Sequence, residues 1–98
     1  MKPTLHADRA AERLTEVPLW RHRGNAIERI FDCGDFDGSI RFVNAVAAAA
    51  NAANHHPDLT VAWNLVTLTL ASHDAGGLTD RDFDLARVLD ALGGTSVP

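Results

Sequence analysis

Three of the five histidines in this 98-residue chain lie in two short polar breaks, Asn54-His55-His56-Pro57-Asp58 and His73-Asp74-Ala75-Gly76-Gly77. Imidazole has the side-chain pKa nearest neutrality, so two or three imidazoles in one cleft can divide the roles of proton donor and acceptor. The residue types leave a second reading open, in which the rings are exposed at a helix C-terminus, where the helix dipole favours a cation. Other chemistries fit less well. Adjacent histidines point in different directions, their spacing matches no common zinc pattern, and the one cysteine, Cys33, is remote in sequence, so no metal is expected. Ser72 beside His73 lacks the glycines of a nucleophile elbow, and Cys33 has no neighbour that would lower its pKa. Gly76-Gly77 lacks the further glycines and the lysine of a phosphate loop. Acidic residues alternate before a glycine in Asp32-Cys33-Gly34-Asp35-Phe36-Asp37-Gly38, as in a calcium loop. Cys33 in the first ligand position and Asn44 in the twelfth break that pattern, leaving a solvated turn that starts a helix.

Whether the histidines meet depends on the run between them. As one strand at about 3.3 Å per residue, residues 59–72 would hold His73 more than about 40 Å from His56. A two-residue reversal at Trp63-Asn64 instead pairs Ala62 with Leu65, Val61 with Val66 and Leu59 with Leu68, which returns Ser72 and His73 beside His55 and His56. Asn64 is the turn residue that best tolerates a positive φ. Shared chemistry therefore requires a hairpin.

The remaining elements follow from spacing. Leu5, Ala10, Ala11 and Leu14 suit a short amphipathic helix within residues 4–16 that ends before Pro18, and Ala26 to Phe31 has the composition of a strand. Asp37 or Ser39 can cap a helix that buries Ile40, Val43, Ala47 and Ala50 and ends near Asn54. Thr79 can cap a last helix with Leu85, Val88, Leu89 and Leu92 on one face, stopped at Gly93-Gly94. Residues 1–98 then form one α+β domain, with 95–98 a frayed tail. Trp20 and Trp63 are expected in the core or a cleft wall, Asp82 in the first helical turn, His6 and His22 on the surface, and Arg21–Arg23 in a solvated basic turn.

Composition sets outer limits. A formal charge of −4 removes the general attraction to nucleic acid or anionic membrane, and no apolar run approaches a membrane span. The first residues lack a signal peptide's apolar segment, which points to a cytoplasmic protein.

The histidines and their flanking residues resemble the pterin-4a-carbinolamine dehydratase family. The likeness is carried by His55-His56-Pro57-Asp58, Trp63-Asn64, Val66, Leu70, Ser72-His73, Gly76-Gly77-Leu78-Thr79 and Asp82, in the family's order, and continues through Leu85-Ala86. Trp20, Ile27-Glu28-Arg29 and Phe36 through Phe42 extend it upstream, so it covers roughly residues 10–92. The resemblance implies an antiparallel sheet with about three helices packed on one face, and self-association as a homodimer or homotetramer. It also implies dehydration of 4a-hydroxytetrahydrobiopterin to quinonoid dihydrobiopterin, a step linked to an aromatic amino-acid hydroxylase and needing no cofactor. By position, His55, His56 and His73 would be catalytic, with His56 closest to the 4a-carbon, His73 assisting and His55 partly orienting. His55, His56, Pro57, Ser72, His73, Asp74 and Ala75 would line the pterin site, with Asn51, Trp20 and Asp82 supporting it from behind. Asn51 stands where the family usually has an acidic residue, keeping a hydrogen bond without the charge. That departure also fits a relative kept as an assembly or dimerisation factor.

Overall fold

Alternation of apolar and polar residues builds the sheet, and the sheet sets where the polar breaks fall. The computed structural model describes residues 4–93 and 95–96. Its elements run α1 (Ala7–Leu14), β1 (Arg21–Arg23), β2 (Ala26–Asp32), α2 (Phe36–Ala53), β3 (Asp58–Ala62), β4 (Leu65–Leu70), α3 (Asp80–Asp90) and β5 (Thr95–Ser96). The strands are antiparallel in the order β1-β2-β4-β3, with β5 paired to the far end of β2. Val66, Leu68 and Leu70 of β4 lie opposite Phe31, Arg29 and Ile27 of β2, and all six are buried beneath the helices. The alternate residues, Glu28, Ile30, Thr67 and Thr69 among them, are only half-buried, so the three helices cover one face. Phe42 and Val46 of α2 and Phe83, Leu85, Ala86 and Leu89 of α3 complete the core.

The hairpin forms in the expected register, with Ala62 on Leu65, Val61 on Val66 and Leu59 on Leu68. Its turn differs in detail. Trp63, not Asn64, takes the positive φ of 54°, as the first position of a II′ turn requires, and its side chain is 71% exposed rather than in the core. The turn is held from outside by Ser39 Oγ donating to Trp63 O, Cys33 N to Asn64 O (2.7 Å) and Asn64 Nδ2 to Asp32 Oδ1 (3.0 Å). The Gly34 N–H and the Asn64 amide together hold the Asp32 carboxyl below its usual range, while burial pushes the Cys33 thiol up.

Five other local expectations shift. Asp35 caps α2, its carboxylate accepting from Gly38 N at 2.7 Å, and Ser39, Phe42, Val46 and Ala50 are buried with Val43 partly buried against the core, while Ile40 and Ala47 are exposed. An alanine-rich run has little preference between adjacent faces, so Phe42 decides the rotation by filling space against Phe31 at 4.6 Å between ring centres. Val88 of α3 is 50% exposed because Phe83 and Ala86 occupy its inward face. Arg21–Arg23 is an exposed edge strand rather than a turn, and Thr95–Ser96 pairs with Asp32 and Phe31 rather than fraying. Gly94, Val97 and Pro98 lie outside the described residues.

Candidate active site

The end of α2 separates the paired histidines. Asn54 adopts the left-handed conformation (φ 49°), its N–H bonds Ala50 O and Asn51 O, and His55 N returns to Ala50 O. A helix closed this way reverses the chain within one residue. His55 is thereby turned into the protein, 8% exposed, and His56 out of it. Pro57 then commits the chain to extended geometry ahead of β3.

The inward ring meets the start of α3. His55 Nε2 lies 2.5 Å from Asp82 Oδ1. Asp82 is fully buried, and its second oxygen accepts Thr79 N and Ser72 Oγ, both at 2.9 Å. Thr79 and Asp82 form a capping box, so the carboxylate that closes the helix N-terminus also binds the imidazole. Both of its oxygens are engaged, which satisfies a buried charge that would otherwise be costly. With two donors on Oδ2, the one hydrogen between the residues lies on the Oδ1–Nε2 line. His55 Nδ1 has no hydrogen-bond partner among the described residues. The ring contributes to the wall of a cleft between α2 and α3 that is also lined by Ala49, Ala52, Ala53, Arg81 and Leu85.

The outward ring has a weaker partner. His56 Nε2 is 3.0 Å from Asn51 Oδ1, one turn back on α2, and both side chains are exposed. Asn51 thus supports His56 rather than the buried ring. His73 lies one residue past Ser72, exposed on a tight turn closed by Ala75 N and Gly76 N on Ser72 O. Asp74 on this turn accepts from Arg81 Nη2. The hairpin thus brings both polar breaks to one end of the sheet, around the buried Asp82.

Two residues fall elsewhere than expected. Ser72 is fully buried and faces Asp82, so its side chain is beneath the surface rather than in a cleft wall. Trp20 is in the core, but its Nε1 donates to Asp90 Oδ1 at 2.7 Å. Asp90 is eight residues along α3 from Asp82, about 12 Å at the helical rise, so Trp20 supports the opposite end of that helix. Thr79 and Arg81 are contributors that residue types alone did not single out as part of the site, although Thr79-x-x-Asp82 is a legible capping signature. Among the described residues, no three His, Cys, Asp or Glu side chains converge to hold a metal ion.

Residues 3–92 match the family model described as pterin 4 alpha carbinolamine dehydratase. The chain belongs to the pterin 4 alpha carbinolamine dehydratase family. A relative from Acidobacterium capsulatum, provisionally named a pterin-4-alpha-carbinolamine dehydratase, is 49% identical over 81 residues, covering 83% of this chain and 88% of its own. A similarly named protein from Chloroflexus aurantiacus is 45% identical over 92 residues, covering 94% and 99%. A crystal structure described as a transcriptional coactivator/pterin dehydratase from Brucella melitensis superposes with a TM-score of 0.87 at 32% identity, over 93% of this chain and 99% of that one. A pterin dehydratase-like protein described as a RuBisCO assembly factor of the alpha-carboxysome has a TM-score of 0.65 at 26% identity, over 79% and 92%. Structures similar to this chain thus carry descriptions of different roles.

Proposed function

We propose that this member of the family dehydrates a 4a-hydroxytetrahydropterin to the quinonoid dihydropterin, using imidazoles as its acid and base. The observation that carries this reading is the buried His55–Asp82 pair, with exposed His56 next to His55 and exposed His73 next to Ser72, which itself bonds Asp82. In the reaction, the bond from C4a to the hydroxyl oxygen breaks and that oxygen leaves as water after gaining a proton. N5 loses its proton, and the electron pair left behind forms the new double bond from N5 to C4a. An imidazole anchored by a carboxylate through one nitrogen can accept that proton through the other. This makes His55 the base, where sequence position alone favours His56. His56 and His73 then protonate and hold the departing hydroxyl. An aromatic amino-acid hydroxylase would supply the substrate.

The assay follows the decay of chemically generated 4a-hydroxytetrahydropterin. Wild-type protein is expected to accelerate it, and His56→Ala and His73→Ala to lose about 10²-fold in rate, the lower range for a general acid–base group. No acceleration by wild type would overturn the reading. It would favour the other one, a scaffold or assembly role, whose support is Asn51 in place of the usual acid and the likeness to an assembly factor.

The domain is also proposed to self-associate through β3. Every residue of Asp58–Ala62 is exposed, and Leu59 and Val61 lie opposite the core residues Leu68 and Val66 but beyond the cover of the helices. The other sheet edge carries Arg21, His22 and Arg23, charges that discourage strand addition, whereas β3 carries no such guard beyond Asp58. A second copy adding antiparallel across a two-fold axis would cover the apolar residues. Val61→Lys should shift the mass measured by light scattering at micromolar concentration to that of a monomer, while wild type stays dimeric or larger.

A further inference from the structure

We infer that the hydroxyls of Ser72 and Thr79 are positioning residues that fix the Asp82 carboxylate and, through it, the tautomer of His55. Ser72 is 0% exposed and Thr79 5% exposed, and their hydroxyls are turned towards each other in the interior. Their oxygens are 2.7 Å apart, and Ser72 Oγ donates to Asp82 Oδ2 at 2.9 Å. A hydroxyl has one hydrogen. Ser72 uses its own on Asp82, so Thr79 is the donor to Ser72, and the chain runs in one direction from Thr79 through Ser72 to Asp82. The Thr79 N–H reaches the same oxygen at 2.9 Å, so Oδ2 is held by the loop after β4 and by the first residue before α3. Turning the carboxylate would break both bonds in a site from which water is excluded. Oδ1 is therefore presented to His55 Nε2 in one orientation, and the ring hydrogen stays on Nε2.

The chain has a topological role as well. Ser72 bridges to Gly77 across the turn that carries His73 and Asp74, so one residue ties the exposed histidine's turn to the buried pair. A Cβ on Gly77 would come within 3.0 Å of the Thr4 methyl, so the turn is also packed close against the start of the chain.

The test combines imidazole ¹⁵N spectra with kinetics in Ser72→Ala, Thr79→Val and Thr79→Ser. The kinetic arm rests on the proposed dehydratase activity; the spectroscopic arm does not. In wild type the neutral His55 ring should show one tautomer, with hydrogen on Nε2. In Ser72→Ala and Thr79→Val the two nitrogen shifts should move towards each other as the tautomers mix, and kcat should fall about tenfold with KM within about twofold, as is usual for groups that orient a catalytic imidazole. Thr79→Ser keeps the hydroxyl and should restore both readouts. Wild-type nitrogen shifts in a folded Ser72→Ala or Thr79→Val protein would overturn the inference, whatever the activity. Should Ser72→Ala not fold, the Thr79→Val and Thr79→Ser pair decides alone. Absence of activity in wild type beside the expected spectra would sink the dehydratase reading and leave the positioning role standing.

Discussion

Asp82→Asn is expected to give a folded protein whose dehydration rate is lower by about 10³-fold. The substitution keeps the size of a fully buried side chain, and its carbonyl can still accept the Thr79 N–H that closes α3. The amide nitrogen must then face His55, and being a donor it requires a lone pair on Nε2. The ring hydrogen moves to Nδ1, which ceases to be a proton acceptor. In the Ser-His-Asp triad of serine proteases the same carboxylate-to-amide change fixes the wrong tautomer at a cost near 10⁴ in turnover. A somewhat smaller loss is expected here because His56 and His73 remain. The measurement is single-turnover decay of the 4a-hydroxypterin alongside far-UV circular dichroism. A folded Asp82→Asn protein within tenfold of the wild-type rate would show that His55 does not act as the base.

Asp90→Ala is expected to cause the largest loss of stability, about 3 kcal/mol, without touching the histidines. One carboxylate oxygen of Asp90 accepts Arg29 Nη1 at 2.6 Å and Trp20 Nε1 at 2.7 Å. Arg29 is 6% exposed, lies over the Phe31 ring at 4.0 Å, and faces the core from the middle of β2. Removing the carboxylate leaves a buried guanidinium without its counter-charge and a buried indole N–H without an acceptor. Breaking a buried pair from one side costs about 3–5 kcal/mol, and the lower end applies because Asp90 is itself 27% exposed. For a domain of this size that is a fall in Tm of roughly 15 °C. Asp90→Asn keeps one acceptor and should lose less. The activity of the fraction that remains folded should be unchanged, because Asp82 and Asp90 are at opposite ends of α3. The two substitutions on one helix thus separate chemistry from stability.

Arg13 makes a related link at the other end of α3. Burial works against its charge, but hydrogen bonds to Asp80, Asp84 and Glu16 more than compensate and hold its pKa above the ordinary arginine value. Its guanidinium also lies over Phe83, 5.5 Å from the ring centre. Because α1 is only eight residues long, it depends on such docking rather than on its own propensity. It packs on the helix whose first turn holds Asp82.

What the sequence determined by itself was local. The hairpin register follows from the strand pattern on either side of Trp63-Asn64, because a shift by one residue would turn Val66 and Leu68 out of the core. The end of α2 at Asn54 and the capping box at Thr79 and Asp82 are also properties of a few adjacent residues. Together these placed the two histidine breaks side by side. The rest depended on how the helices dock on the sheet. Which face of the alanine-rich α2 is buried was decided by Phe42 meeting Phe31 across the core. The positive φ at Trp63 depends on partners brought by α2 and β2, which outweigh Asn64's own preference for that conformation. His55 and Asp82 are 27 residues apart, and Trp20 and Asp90 are 70 apart, so neither pairing leaves a local trace. Tertiary packing chose which polar groups would be buried together, since a buried carboxylate or imidazole is tolerated only where its partner arrives with it.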